Sequence, residues 1–191
     1  MSCRLITVGS SWGGVEAVTA VISSLSPRTA AAVAIAQHRG PQRSALASLL
    51  TRQTPWTVEE AEDKAPIEPG RAYLAPPGYH LLVETDRVAL STEGPVSYSR
   101  PSVDVLFESA AAAYGPRAVG VVLTGSNRDG ADGLAAIARR GGVAVVQDPA
   151  TAARRAMPAA ALAAVPHALV LPLEAIGAKL TELCPPSAAV A

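Results

Sequence analysis

The chain has 191 residues, 16 basic and 16 acidic side chains in balance, 49% apolar residues and only 4% aromatic ones. That length suits one well-buried core, and the apolar content excludes a disordered chain. The charge balance argues against nucleic acid or an anionic membrane as partner, and no apolar run approaches the roughly 20 residues of a membrane span. The first apolar run begins so early that no signal peptide is expected. Cys3 and Cys184 stand at opposite ends without metal-ligand spacing and read as separate thiols in a reducing cytosol.

Leu5-Ile6-Thr7-Val8 reads as a strand, Gly9-Ser10-Ser11-Trp12-Gly13-Gly14 as a tight turn, and residues 15–22 as a helix with apolar positions at helical spacing. The turn is not a dinucleotide fingerprint, because Ser11 stands where the second glycine of G-x-G-x-x-G belongs. It is not a P-loop either, since no Gly-Lys-Ser/Thr follows. Residues 31–36 form a continuous apolar run suited to a strand covered on both faces, ending at Gln37-His38. Gly40-Pro41 punctuates, and residues 44–50 read as the next helix.

From Trp56 to about Thr92 the signals are short strands and turns, expected as a meander on the sheet edge. Residues 80–84 and 87–90 form its antiparallel hairpin. A helix follows over 102–110 with Ser102 as N-cap. Residues 118–123 predict a third buried strand, 124–130 a polar loop, and 131–140 a helix closed by Gly141-Gly142. Residues 143–146 and 168–171 read as strands and 173–183 as a final helix. The expected architecture is one doubly wound α/β domain over residues 1–191, with a mainly parallel, Rossmann-like sheet and an antiparallel edge hairpin. Its core spans about 4–184, and the tail 185–191 is frayed.

Three polar residues share one kind of location. Ser11, His38 and Asp129 each follow a predicted parallel strand, and doubly wound sheets place their sites outside the carboxyl ends of the strands. A hydroxyl needs a proton acceptor to become a nucleophile. Imidazole titrates near neutral pH, and a carboxylate fixes its tautomer. The order Ser, His, Asp differs from the three familiar triad orders, so no fold can be borrowed from them. From spacing alone, Ser11 can equally be a turn or cap residue, His38 a partly buried histidine, and Asp129 a helix cap. Asp132 could stand in for Asp129. His80 and His167 read as hairpin and loop residues, the run Glu59, Glu60, Glu62 and Asp63 as a solvated edge, and Arg154 and Arg155 as solvated surface that could also face an acidic helix.

Gly9-Ser10-Ser11-Trp12-Gly13-Gly14, Ala36-Gln37-His38, Arg100-Pro101-Ser102-Val103-Asp104-Val105-Leu106-Phe107 and Leu123-Thr124-Gly125 through Asp129-Gly130-Ala131-Asp132-Gly133 occur in one order. Together they resemble the catalytic domain of the CheB-type chemotaxis protein-glutamate methylesterases. Ala72-Tyr73-Leu74-Ala75-Pro76-Pro77 and Met157-Pro158 fit as well, and the similarity covers essentially residues 5–183. The resemblance implies a serine hydrolase, free of cofactor and metal, that removes methyl groups from glutamyl γ-methyl esters on the cytoplasmic helices of chemoreceptors. It also implies deamidation of glutamines there, a cytoplasmic location, and Ser11, His38 and Asp129 as the triad. A backbone N–H near Ser126 would serve the oxyanion.

Two positions depart from the family pattern. Trp12 stands where a small residue, often threonine, is usual, and could wall the crevice, change which helix docks or cover the nucleophile. Ser126 stands where methionine is common. The family's phosphoryl-accepting receiver domain does not precede the catalytic strand in this sequence, so regulation by a receiver domain in trans is expected, unless the chain is a segment of a longer protein. The rivals are an esterase or deamidase acting on another protein and a silent module that binds signalling helices.

Overall fold

The computed structural model describes residues 3–40, 42 and 45–186. In chain order the elements are β1 (Leu5–Ser10), α1 (Gly14–Ser24), β2 (Ala32–Gln37), α2 (Leu46–Gln53), β3 (Val58–Glu60), β4 (Ala72–Leu74), β5 (His80–Glu84) and β6 (Arg87–Ser91). There follow α3 (Val103–Tyr114), β7 (Ala118–Val122), α4 (Ala131–Arg139), β8 (Val143–Gln147), α5 (Ala156–Ala164), β9 (Leu169–Leu171) and α6 (Leu173–Leu183).

Seven strands form one parallel sheet in the order β3-β4-β2-β1-β7-β8-β9. The central strands β1, β2 and β7 are buried at every position, which is why they read as unbroken runs of Val, Ile and Ala rather than as alternation. Along β2, Ala32, Ala34 and Ala36 face a core shared with α3, α4 and α5, while Val33 and Ile35 face one shared with α1, α2 and α6. Smaller side chains on the first face let α3 approach β1 and β2 closely. The order reverses at β1, so the carboxyl ends of β1, β2 and β7 bound the switch-point crevice where Ser11, His38 and the loop to Asp129 lie.

The doubly wound parallel sheet and the antiparallel hairpin are as expected; several details differ. β3 and β4 do not form a meander. Both run parallel within the main sheet, with β4 between β3 and β2, because the buried Ala72-Tyr73-Leu74 row is covered on both faces. β5 and β6 pair as a separate ribbon that packs on α3, through Leu81, Val83 and Val88. The segment between β8 and β9 contains α5, an alanine-rich helix whose Pro158 falls in the first turn, where its missing N–H costs nothing. The expected helix over 44–50 starts at Leu46, and Ser44 and Pro41 lie outside the described residues. Of the tail, Pro185 accepts a hydrogen bond from Ala30 N and Pro186 bridges Thr29, while 187–191 lie outside the described residues.

The cysteine reading is corrected too. Cys3 and Cys184 are joined as a disulfide across 181 residues of sequence, with both residues buried. The end of α6 packs in the same core as the start of β1, and the Thr29 hydroxyl donates to Cys184 O. A link closing so long a loop contributes on the order of 2–5 kcal/mol. Reduction, or Cys184→Ser, is therefore expected to lower the unfolding midpoint by roughly 5–15 °C in calorimetry. An unchanged midpoint with both thiols shown free by alkylation would mean that the staple adds nothing.

Candidate active site

Ser11 sits one residue past β1, in a turn that the chain can make only through Gly13. That residue has φ +73°, and a Cβ on it would lie 2.8 Å from the Cβ of Ala153. The β1–β2 register ends at Ser10 opposite Gln37, so Ser11 and His38 leave adjacent parallel strands side by side. Gln37 fixes that exit: its side-chain amide donates to the carbonyls of both Ser11 (2.8 Å) and His38 (2.9 Å). His38 N donates to Ser10 O at 2.9 Å, and Ser11 N to Thr124 O at 2.9 Å. The Ser11 hydroxyl itself makes no hydrogen bond among the described residues. The backbone N–H groups of Trp12, Gly13 and Ser126 likewise have no intramolecular acceptor there, and the first two directly precede the N-terminus of α1.

Asp129 is fully buried and accepts four hydrogen bonds. Its Oδ2 takes His38 Nε2 at 2.6 Å and Val103 N at 2.7 Å; its Oδ1 takes Ser102 Oγ at 2.8 Å and Asp104 N at 3.0 Å. It thus caps α3 while it holds the imidazole. Burial alone would raise this carboxyl, but the bonds from His38, Val103 and Asp104 outweigh it and hold Asp129 below the usual carboxylate range. An anionic acceptor at Nε2 keeps the proton there, which leaves Nδ1 as the basic nitrogen.

The capping is reciprocal. Asp104 Oδ1 accepts Gly130 N (2.9 Å) and Gly133 N (2.8 Å), and so caps α4 from the first turn of α3. Gly130, at φ +92°, lets the two helix starts meet, since a Cβ there would lie 2.6 Å from Val103 Cγ1. Burial pushes the Asp104 carboxyl up to about 7; the Gly133 N–H opposes this and the charge of Asp129 adds to it. The folded protein therefore keeps a proton between about pH 4 and pH 7 that the unfolded chain has released, so this group's contribution to stability falls as pH rises through that window. Asp104→Asn preserves the acceptor oxygen without the charge. It is expected to be the more stable protein at pH 8, by on the order of 1–3 kcal/mol, with the advantage shrinking towards pH 4. Urea titrations at both pH values measure this, and an Asn variant less stable at pH 8 contradicts it.

The other side of the imidazole holds a residue that the sequence did not flag. Ser99 Oγ lies 3.2 Å from His38 Nδ1. It closes a two-residue turn with reciprocal backbone bonds between Val96 and Ser99, in which Ser97 and Tyr98 both have positive φ. An open cleft of about 440 Å³ is lined by His38, Arg39, Tyr98, Ser99 and Arg100. A polar stretch without period offers no signal of such proximity; the only hint is that it directly precedes the Arg100-Pro101-Ser102 motif.

The family model described as CheB methylesterase matches residues 6–180. The chain belongs to the CheB methylesterase family. The crystal structure of the Thermotoga maritima CheB methylesterase catalytic domain superposes with a TM-score of 0.89 at 31% identity, covering 96% of this chain and all of that one. A Leptospira interrogans relative is 41% identical over 92% of both chains, and its name assigns it protein-glutamate methylesterase and protein-glutamine glutaminase activities. A Nocardioides protein named for the same two activities is 43% identical over 93% of this chain, which spans only 50% of its length. A Xanthomonas campestris protein, also named for both, is 41% identical, and the chain spans 51% of it.

Against that family pattern, the two departures sit at the crevice rim. Trp12 is 65% exposed and directly follows Ser11 in the turn. Ser126 is exposed, in a loop tethered by Gly125 N to Arg154 O and by Met157 N to Gly125 O. Asp132 pairs with Arg128 at 2.8 Å on the surface and does not reach His38. His80 is buried, and its Nδ1 accepts Ser102 N at 3.1 Å, so it braces the start of α3. His167 is exposed. Within the acidic run, Glu59 pairs with Arg71 and Glu60 with Arg39, while Asp63 accepts Leu90 N.

Proposed function

We propose that the chain is a serine protein-glutamate methylesterase acting on γ-methyl esters of chemoreceptor glutamates, with Ser11 as nucleophile, His38 as base and Asp129 as the acid that orients it. The observation that carries this reading is the 2.6 Å pair between His38 and the buried Asp129, at a strand end adjacent to that of Ser11. Ser11 Oγ attacks the ester carbonyl as His38 Nδ1 takes its proton, and Asp129 stabilises the imidazolium. The oxyanion falls to the N–H groups of Trp12, Gly13 and Ser126; one such donor is worth about 3–4 kcal/mol. Collapse expels the methoxy group, which takes the proton from His38 and leaves as methanol. Water, deprotonated by the same nitrogen, then splits the glutamyl ester of Ser11 into free glutamate and serine. A glutamine amide would follow the same course and release ammonia.

In this reading Ser99 must yield Nδ1 before attack. The substrate helices and the site meet in the cytoplasm, with a receiver domain in trans as the controlling partner. No helix among the described residues is long and apolar enough to cross a membrane, in keeping with an enzyme that meets receptors from outside the bilayer. The 3.2 Å contact between Ser99 Oγ and His38 Nδ1 favours one second reading, in which Ser99 is the nucleophile. Methanol release from methylated receptor membranes tests the function: wild type should release it and Ser11→Ala should not. Release from unrelated methylated proteins alone would move the substrate elsewhere.

A further inference from the structure

Trp12 is not a lone exposed aromatic. The guanidinium of Arg154 lies over its ring, 5.5 Å from the centroid, within cation–π range. The two loops are clipped together by one buried side chain. Thr124 Oγ1 donates to Trp12 O (2.9 Å) and lies 3.3 Å from Arg154 O, and it accepts Arg154 N at 2.8 Å. The backbones of the two loops are therefore fixed together, and the side chain of Arg154 rests on the indole next to Ser11 in sequence. Arg154 pairs with no carboxylate among the described residues, and neither does its neighbour Arg155. An aromatic plate topped by an unneutralised guanidinium, one residue from the nucleophile, fits an anionic group close to the scissile ester.

We propose that Trp12 and Arg154 form a clamp that reads a carboxylate lying one helical turn from the esterified glutamate. The inference rests on the reading of Ser11 as nucleophile for helical substrates. Residues three or four apart on a helix have Cβ atoms about 5–6 Å apart, so an ester held at Ser11 brings its neighbour on the same face towards the guanidinium. The indole supports the aliphatic stems, and Arg154 offers its planar donor fork to the carboxylate. Hydrolysis turns a neutral ester into a carboxylate, so each turnover creates the acidic neighbour that favours the next ester one turn away.

Helical peptides carrying one glutamyl γ-methyl ester, with either Glu or Ala four residues away, test the clamp. Wild type should show about a tenfold higher kcat/KM for the Glu peptide at low salt, with the ratio falling towards one in 0.5 M NaCl, as a charge-assisted contact at a partly exposed site implies. Arg154→Gln should bring the ratio to about one, and Arg154→Lys should restore part of it. The same pair titrated into Ser11→Ala protein should show the same preference in affinity. A wild-type ratio near one, or a ratio undiminished by Arg154→Gln, overturns the clamp. If the preference persists in binding while neither peptide is hydrolysed, the clamp stands and the esterase reading fails. If both are hydrolysed alike, the reverse holds.

Discussion

Ser11→Ala is expected to lower the turnover of glutamyl methyl esters by a factor on the order of 10⁵ while leaving the unfolding midpoint almost unchanged. The two halves of this expectation have separate origins. Ser11 Oγ makes no hydrogen bond among the described residues, so its removal strands no buried partner, and such changes shift stability by about 0.5 kcal/mol or less. The turn stays in place because Ser11 N and O remain bonded to Thr124 and Gln37. Turnover, in contrast, loses the hydroxyl proposed to form the covalent intermediate, and the oxyanion donors and binding supply what remains. Steady-state methanol release together with calorimetry measures both. Near-normal turnover by the variant would shift the nucleophile to Ser99.

Asp129→Asn is expected to lose about 10⁴ in kcat and also to weaken the fold. Every group around the carboxylate can donate: His38 Nε2 and Val103 N on one oxygen, Ser102 Oγ and Asp104 N on the other. An amide keeps one acceptor oxygen and points an NH₂ at two of these donors, whichever way it is turned. If the NH₂ faces His38, Nε2 must become the acceptor and Nδ1 takes the proton, so the base is lost. If it faces α3, the Asp104 N–H loses its acceptor, and an unpaired buried donor costs about 1–3 kcal/mol. Turnover assays with chemical denaturation separate the two losses. Full activity in a stably folded Asn variant would remove Asp129 from the reaction and leave it a helix cap.

The sheet was legible because both faces of β1, β2 and β7 are covered, which writes them as unbroken apolar runs. The strand ends then pointed to Ser11, His38 and Asp129 as neighbours, and in the fold His38 bonds Asp129 while Ser11 leaves the strand beside that of His38. What was not legible depended on neighbours distant in the chain. Three-residue strands such as β3 and β4 carry no mark of direction, and α5, apolar and alanine-rich on all sides, shows no amphipathic period. Nothing local to Cys3 or Cys184 says that β1 and α6 bring them together. Ser99 reaches His38 only because a turn with positive φ at Ser97 and Tyr98 folds it inward, and neither residue type announces that conformation. In the sequence Asp129 reads either as a helix cap or as a partner of the imidazole; in the fold one carboxylate has two oxygens, and it both caps α3 and bonds His38.

The central proposal, that the hydroxyl of Ser11 is the one His38 activates, is tested most directly by covalent trapping. A fluorophosphonate probe, followed by peptide mass mapping of the native protein, should label Ser11, and His38→Ala should suppress the labelling. A label on Ser99, or equal labelling of Ser11 with and without His38, contradicts the assignment.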